Sequence, residues 1–385
     1  MKKIILGFTF TSFFSGIIAM DGTHPRTHLV VVPGQNELGG QNTDIVLPQY
    51  ALASLKAQPP IKRYTATTPL TWRSIDLGQK HCKSHLQKTF TDNNLQAPVI
   101  IHGSSQGTAT TINYVAQNPT AAKALILESV LLTGNSAIHH TVKKSISGWL
   151  ASVPGSYYWI PYFAKILYPG YAPAGEQAIA NIDKLPTDLP IIILHDENDR
   201  QLSFEDSQAL YAYFKQIKNN KNVYFIPHQT QYEGQIYAGH VELLDMKNMQ
   251  AINAINTILH NNNILTQDPD YLEGHDTTAE TSHYHLKKYE SAFGFMPPRV
   301  NQEKYEELKS HYLRIAPNTI DLSQYQPKVQ PEWLAHFENL QTKENRLWYF
   351  DKALKTSIVS LIVYLLHRAG YLDTIVETFK QELNS

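Results

Sequence analysis

The sequence is poor in three things, and each shortage removes a class of chemistry. Cysteine is the first: Cys82 is the only one in 385 residues. One thiol forms no intramolecular disulfide and no Cys-based metal or thioredoxin-like site, so its expected place is that of a small buried hydrophobe. Charge imbalance is the second. Lys and Arg number 33 against 34 Asp and Glu, a net charge of −1, with no basic block to meet nucleic acid and no acidic tail. The third is long apolar runs beyond the N-terminus. Ile358 to Leu366 is far below the roughly 20 residues that span a bilayer, and reads as part of a buried helix. No internal repeat or long low-complexity tract is present.

What is there begins with "MKKIILGFTFTSFFSGIIAM". Two lysines lead into a charge-free run from Ile4 to Met20, the layout of a secretory signal peptide. Export to the periplasm or the medium is the expectation, with cleavage near Ala19; an uncleaved anchor is the alternative. No cysteine follows the run to carry a lipid, so the mature protein is expected to hold no stable transmembrane span.

From Thr27 short apolar runs alternate with amphipathic segments. "HLVVVPG", "TWRSIDLGQ", "PVIIHG", "KALILESV", "LPIIILHD" and "NVYFIP" read as strands. "KSHLQKTFTDNNL", "GTATTINYVAQNP", "EDSQALYAYFKQIKNN" and "VELLDMKNMQAINAINTILHN" read as helices. Such alternation predicts an α/β domain over 27–262, a mostly parallel central sheet flanked by helices. Between 131 and 188 the stretch "SGWLASVPGSYYWIPYFAKILYPGYAP" interrupts it, rich in Trp, Tyr, Phe and Pro. It reads as a cap over a site, or as a loop packing its own aromatics. Residues 263–385 form an extension that becomes largely helical.

In parallel sheets the chemistry gathers outside the carboxyl ends of the strands. There the sequence places Gly103-Ser104-Ser105-Gln106-Gly107, between an apolar strand and a helix. G-x-S-x-G arises by chance in about one chain in twenty of this composition, so the strand-turn-helix setting is what gives it weight. No Lys-Ser/Thr ending follows, which excludes a phosphate-binding P-loop. A serine nucleophile needs a base, and the base an orienting carboxylate. Asp199, after the fifth strand, and His240, ahead of the last core helix, come in the order Ser, Asp, His. Glu128, ending the fourth strand, is an alternative acid, and Asp196 is expected to shape the acid loop. Among 17 histidines, His275, His283 and His285 form a loose cluster without the spacing of a metal site. Neither metal nor cofactor is expected.

These features together resemble the α/β-hydrolase family of serine hydrolases, over about Thr27 to His260. "HLVVVPGQ" is similar to its oxyanion strand and loop, "SIDLGQ" to a strand ending in Asp-x-Gly, "GSSQG" to its nucleophile elbow. "LHDENDRQLS" is similar to its acid loop and "AGH" to its base. The family usually has His-Gly where this chain has Pro33-Gly34. The resemblance implies Ser105 as nucleophile, His240 as base and Asp199 as acid. It also implies an oxyanion hole from the backbone N–H of Gln106 and of Gln35 or Asn36. The activity implied is hydrolysis of an ester, thioester or amide of a small or lipid-like acyl substrate through an acyl-enzyme. A peptidase or acyltransferase with the same residues, and a non-catalytic binding protein on the same fold, are the alternatives.

Overall fold

The computed structural model describes residues 28–32, 62–66, 76–95, 98–145, 148–167, 169–229, 231–232, 235–236, 240, 249–264 and 320–368. Six strands form one sheet: β1 (His28–Val32), β2 (Lys62–Thr65), β3 (Val99–Ser104), β4 (Ala122–Glu128), β5 (Ile191–Asp196) and β6 (Val223–His228). Their order is β2-β1-β3-β4-β5-β6 and every pairing is parallel. Five of the six strands lie where the sequence reading puts them. The other, β2, is Lys62–Thr65, a segment that carries no strand expectation; of the expected strand at "TWRSIDLGQ", residues 71–75 lie outside the described residues.

The central strands are continuous apolar runs because both their faces are covered. Alternate residues serve opposite layers. On one face Val30, Ile101, Leu125, Leu127 and Ile193 pack with Leu86 and Phe90 of helix α1 (Lys80–Asp92) and Ile112 and Val115 of α2 (Gln106–Gln117). On the other, Leu29, Ile100, Ile126, Ile192 and Leu194 meet Ala254, Ile255, Ile258 and Leu259. These last belong to the helix Met249–Asn261.

From β1 the chain moves to β2 at one edge, then returns to lay β3 on the opposite side of β1. The connections leaving the carboxyl ends of β1 and β3 therefore diverge, and a crevice between them is the usual ligand position of an open parallel sheet. Ser105 follows β3 directly.

Between β4 and β5 the aromatic-rich insertion folds as helices α3 (Gly134–Lys144), α4 (Gly148–Ala151) and α5 (Ser156–Leu167), then a 3-10 turn over Ala178–Lys184. After β5 come α6 (Phe204–Ala212) and a π turn, Tyr213–Ile217. In chain order Met249–Asn261 is thus α7.

The C-terminal extension contributes α8, Pro331–Arg368, whose 38 residues make a rod about 57 Å long at 1.5 Å per residue. Its first turns pack on the α/β layer. Phe337 stacks on Tyr213 at 4.2 Å between ring centroids, and Trp333 meets Tyr211 edge-on. His336 pairs with Asp206 at 2.8 Å. Of the buried helix expected around Ile358 to Leu366, Leu361, Tyr364 and Leu365 are each more than half exposed, while the side chains at 358, 359, 362, 363 and 366 lie outside the described residues. No helix among the described residues is long and apolar enough to cross a membrane.

One carboxyl ties α8 to the insertion. Glu344 accepts from Tyr157 Oη at 2.6 Å and from Asn135 Nδ2 at 2.7 Å. Desolvation raises its pKa from the ordinary glutamate value, against the opposing pull of those donors and Thr133. A raised folded-state value makes this contact most favourable below the unfolded value of about 4.3, and weaker as pH rises through the folded one. Glu344→Ala is expected to lower unfolding free energy by about 1–3 kcal/mol, the cost of leaving partly buried donors without an acceptor. Urea melts of wild type and Glu344→Gln check the sign: the stability of wild type relative to the variant falls as pH rises from about 4 to 7.

Candidate active site

The turn from β3 into α2 is set by two residues with different jobs. Gly103 is required by close approach: a Cβ there would sit 2.6 Å from the Gly107 carbonyl oxygen and 2.8 Å from Thr111 Oγ1. Ser105 caps α2 with φ 51° and ψ −120°, a left-handed backbone that costs a non-glycine residue of order 1–3 kcal/mol. The sheet ladder holds it there, since the Ser105 N–H donates to the Glu128 carbonyl at 2.8 Å. Strain of this kind lifts the side chain clear of the sheet and puts the first N–H groups of α2, those of Gln106 and Gly107, beside it.

Three of the residues singled out in the sequence meet here. Ser105 Oγ donates to His240 Nε2 at 2.9 Å, and His240 Nδ1 donates to Asp199 Oδ2 at 2.8 Å. The carboxylate accepts only, so the proton on Nδ1 and the free lone pair on Nε2 follow from it. Ser129 Oγ donates to the His240 carbonyl, holding His240 from just beyond the end of β4. Ser105 and Asp199 are buried, and His240 is partly so.

Asp199 stands on the loop after β5. Its Oδ1 accepts the backbone N–H groups of Gln201 (2.7 Å) and Leu202 (3.0 Å). Burial pushes its carboxyl up, but His240 beside it and hydrogen bonds from His195 and His240 outweigh that and hold it well below the usual carboxylate range. The ionised carboxylate is therefore the form that this loop favours. Asp196 turns the same loop, Oδ1 accepting from Asn198 N at 2.7 Å, which is the structural part expected of it.

Glu128, the alternative acid, faces elsewhere. Its Oε2 accepts from Ser104 Oγ at 2.9 Å and lies 3.1 Å from His102 Nε2. Adjacent serines thus take opposite sides: Ser104 turns to a buried Glu-His pair, Ser105 to His240. Of the oxyanion candidates, Gln106 opens α2, and its side chain is drawn off to Cys82. Gln35 and Asn36 lie outside the described residues, as do His275, His283, His285 and the N-terminal segment 1–20. Cys82 is buried, its thiol pushed up to about 12 by burial and then by Asp76, so it is a poor nucleophile. Among the described residues no group of three His, Cys, Asp or Glu side chains is disposed to hold a metal ion.

Sequence reasoning passed over two participants. His195 lies beside Asp199, with Nε2 3.2 Å from Oδ2; its spacing of four residues from the acid was the available signal. His140, from the inserted α3, donates from Nε2 to the Asp199 carbonyl at 3.2 Å. Nothing in the local sequence signals that contact, because it joins segments 59 residues apart.

No protein-family model matches the chain, and no curated protein matches it. Solved structures that resemble it include Est1E from Butyrivibrio proteoclasticus, at 12% identity and TM-score 0.38, over 61% of this chain and 89% of its own. An α/β hydrolase from Novosphingobium aromaticivorans DSM 12444 has 16% identity and TM-score 0.36, over 61% of this chain and 90% of its own. Mouse alpha/beta hydrolase domain-containing protein 10 has 14% identity and TM-score 0.35, over 62% and 89%. Likeness at this level bears on no chemistry. The parallel sheet order, the strained serine between β3 and α2, and Asp199 and His240 beyond the ends of β5 and β6 are this chain's own, and they make it an α/β-hydrolase fold.

Proposed function

We propose that the chain is a serine hydrolase that cleaves an ester, thioester or amide through an acyl-enzyme on Ser105. The observation that carries this reading is the unbroken line Ser105 Oγ–His240 Nε2 and His240 Nδ1–Asp199 Oδ2. It stands where diverging connections open a crevice in the sheet.

In the acylation step Ser105 Oγ attacks the carbonyl carbon of the substrate while its proton passes to His240 Nε2. Asp199 keeps the imidazole in the required tautomer and stabilises the imidazolium. The oxyanion points at the N–H of Gln106, at the start of α2. His240 then gives its proton to the leaving group as the carbon–heteroatom bond breaks. Water repeats the sequence in reverse roles and frees the acid. The aromatic-rich insertion between β4 and β5 supports an apolar acyl group.

The test is a fluorophosphonate probe on the intact protein, with the adduct located by peptide mass spectrometry. Phosphonylation of Ser105 is the expected result. A folded protein that forms no adduct, or forms it on another residue, overturns the reading. Ester substrates of graded chain length then identify the acyl preference.

Export is part of the same proposal and rests on the charge-free run after Lys2-Lys3. N-terminal sequencing of protein from its native host is expected to return a chain beginning near residue 20, outside the cytoplasm. An intact Met1 in the cytosol is the opposing result.

A further inference from the structure

Asp199 is shared between two imidazoles. Its Oδ2 lies 2.8 Å from His240 Nδ1 and 3.2 Å from His195 Nε2, while Oδ1 takes two backbone N–H groups. His195 stands near the end of β5, wholly buried. Its Nδ1 is 2.5 Å from Ser207 Oγ on α6, and the Phe204 ring meets it edge-on at 5.8 Å. His195 Nε2 lies 3.2 Å from Asp199 Oδ2 without the alignment of a full hydrogen bond, and because a carboxylate only accepts, the tautomer this contact favours carries its proton on Nε2. In the neutral ring Nδ1 is then the acceptor of the Ser207 hydroxyl. The polar line therefore extends beyond three residues: Ser207, His195, Asp199, His240, Ser105.

We propose that His195 is a positioning residue that sets the strength of His240 as a base. It touches neither Ser105 nor substrate and acts through Asp199. Its Nε2, 3.2 Å from Asp199 Oδ2, shares the same oxygen that faces His240 and draws off part of the charge that stabilises the imidazolium. With that charge divided, Asp199 stabilises the His240 cation less than an unshared carboxylate would. Ser207 keeps His195 in the tautomer that donates. The neighbouring ionisable groups are placed to leave this coupling intact. His140 of α3 bonds the Asp199 carbonyl, not its carboxylate. Asp206 of α6 pairs with His336 of α8, Glu205 accepts from Ser203, and Asp196 accepts from Asn198 N.

The role in catalysis rests on the reading of Ser105 and His240 given under Proposed function; the coupling itself belongs to the resting protein, and the experiment separates the two. Histidines labelled with 13C at Cε1 report the titration of His240 by NMR, its signal assigned by its loss in His240→Ala. The dependence of kcat/KM on pH for p-nitrophenyl butyrate is measured alongside. His195→Leu, which has no donor, is expected to raise the His240 titration by about 0.5–1 pH unit and to move the acid limb of the rate profile with it. At pH 6 kcat falls about three- to ten-fold with KM little changed. His195→Gln, which can return an N–H to Asp199, recovers most of both effects, and Ser207→Ala gives a smaller shift in the same direction.

A folded His195→Leu protein with the wild-type His240 titration overturns the proposal, as does a His195→Gln protein displaced as far as the leucine variant. Should His195→Leu not fold, Ser207→Ala decides: a His240 titration identical to wild type overturns the proposal, and an upward shift upholds it. Absence of both ester turnover and probe adduct in the wild type would count against the serine hydrolase reading, while the NMR titration would still decide the coupling.

Discussion

Ser105→Ala is expected to remove all measurable ester turnover and all fluorophosphonate labelling, whereas Ser104→Ala keeps both detectable. The contrast follows from the elbow. Ser105 Oγ is the hydroxyl bonded to His240, while Ser104 Oγ is bonded to Glu128 on the other side. Alanine at 105 fits the space and leaves no oxygen to attack, so the fold survives and the acyl-enzyme does not form. Loss of the equivalent serine in a comparable triad lowered turnover by about 10⁶. Initial rates on a p-nitrophenyl ester, with circular dichroism to establish folding, measure the effect. Labelling that persists in Ser105→Ala would mean the nucleophile is elsewhere.

Asp199→Asn is expected to lower kcat by about 10⁴, the loss seen when a comparable triad acid became its amide, while Glu128→Gln loses far less. Asparagine keeps the size and can still accept from Gln201 N and Leu202 N through its carbonyl oxygen. Its amide N–H₂ then faces His240 Nδ1 and favours the wrong tautomer, with the proton on Nε2 where Ser105 needs an acceptor. No charge remains to stabilise the imidazolium. Glu128 makes its contacts with His102 and Ser104 in the buried ends of β3 and β4, so its amide alters stability more than turnover. Near-normal turnover in Asp199→Asn, with Glu128→Gln folded and inactive, would reverse the two roles.

The sequence by itself determined the local elements and their order along the chain. Buried strands such as Ile191–Asp196 are legible because a sheet covered on both faces demands unbroken apolar runs. The elbow is legible because a sharp strand-to-helix turn restricts which residues fit, as Gly103 against Gly107 shows. Chain order and strand-end placement together singled out Asp199 and His240. Only the tertiary structure decided what those signals leave open. Asp199 and Glu128 both follow or end parallel strands and have the same chemistry, so side-chain direction alone tells them apart, and direction is set by packing across the sheet. Strand β2 at Lys62–Thr65 carries little apolar signal, and its place comes from pairing with β1 in the folded sheet. His140 and Glu344 depend on contacts between segments tens to hundreds of residues apart. Periodicity reports which residues of a helix are apolar, but whether a surface arrives to cover them is decided by how far the folded layer extends.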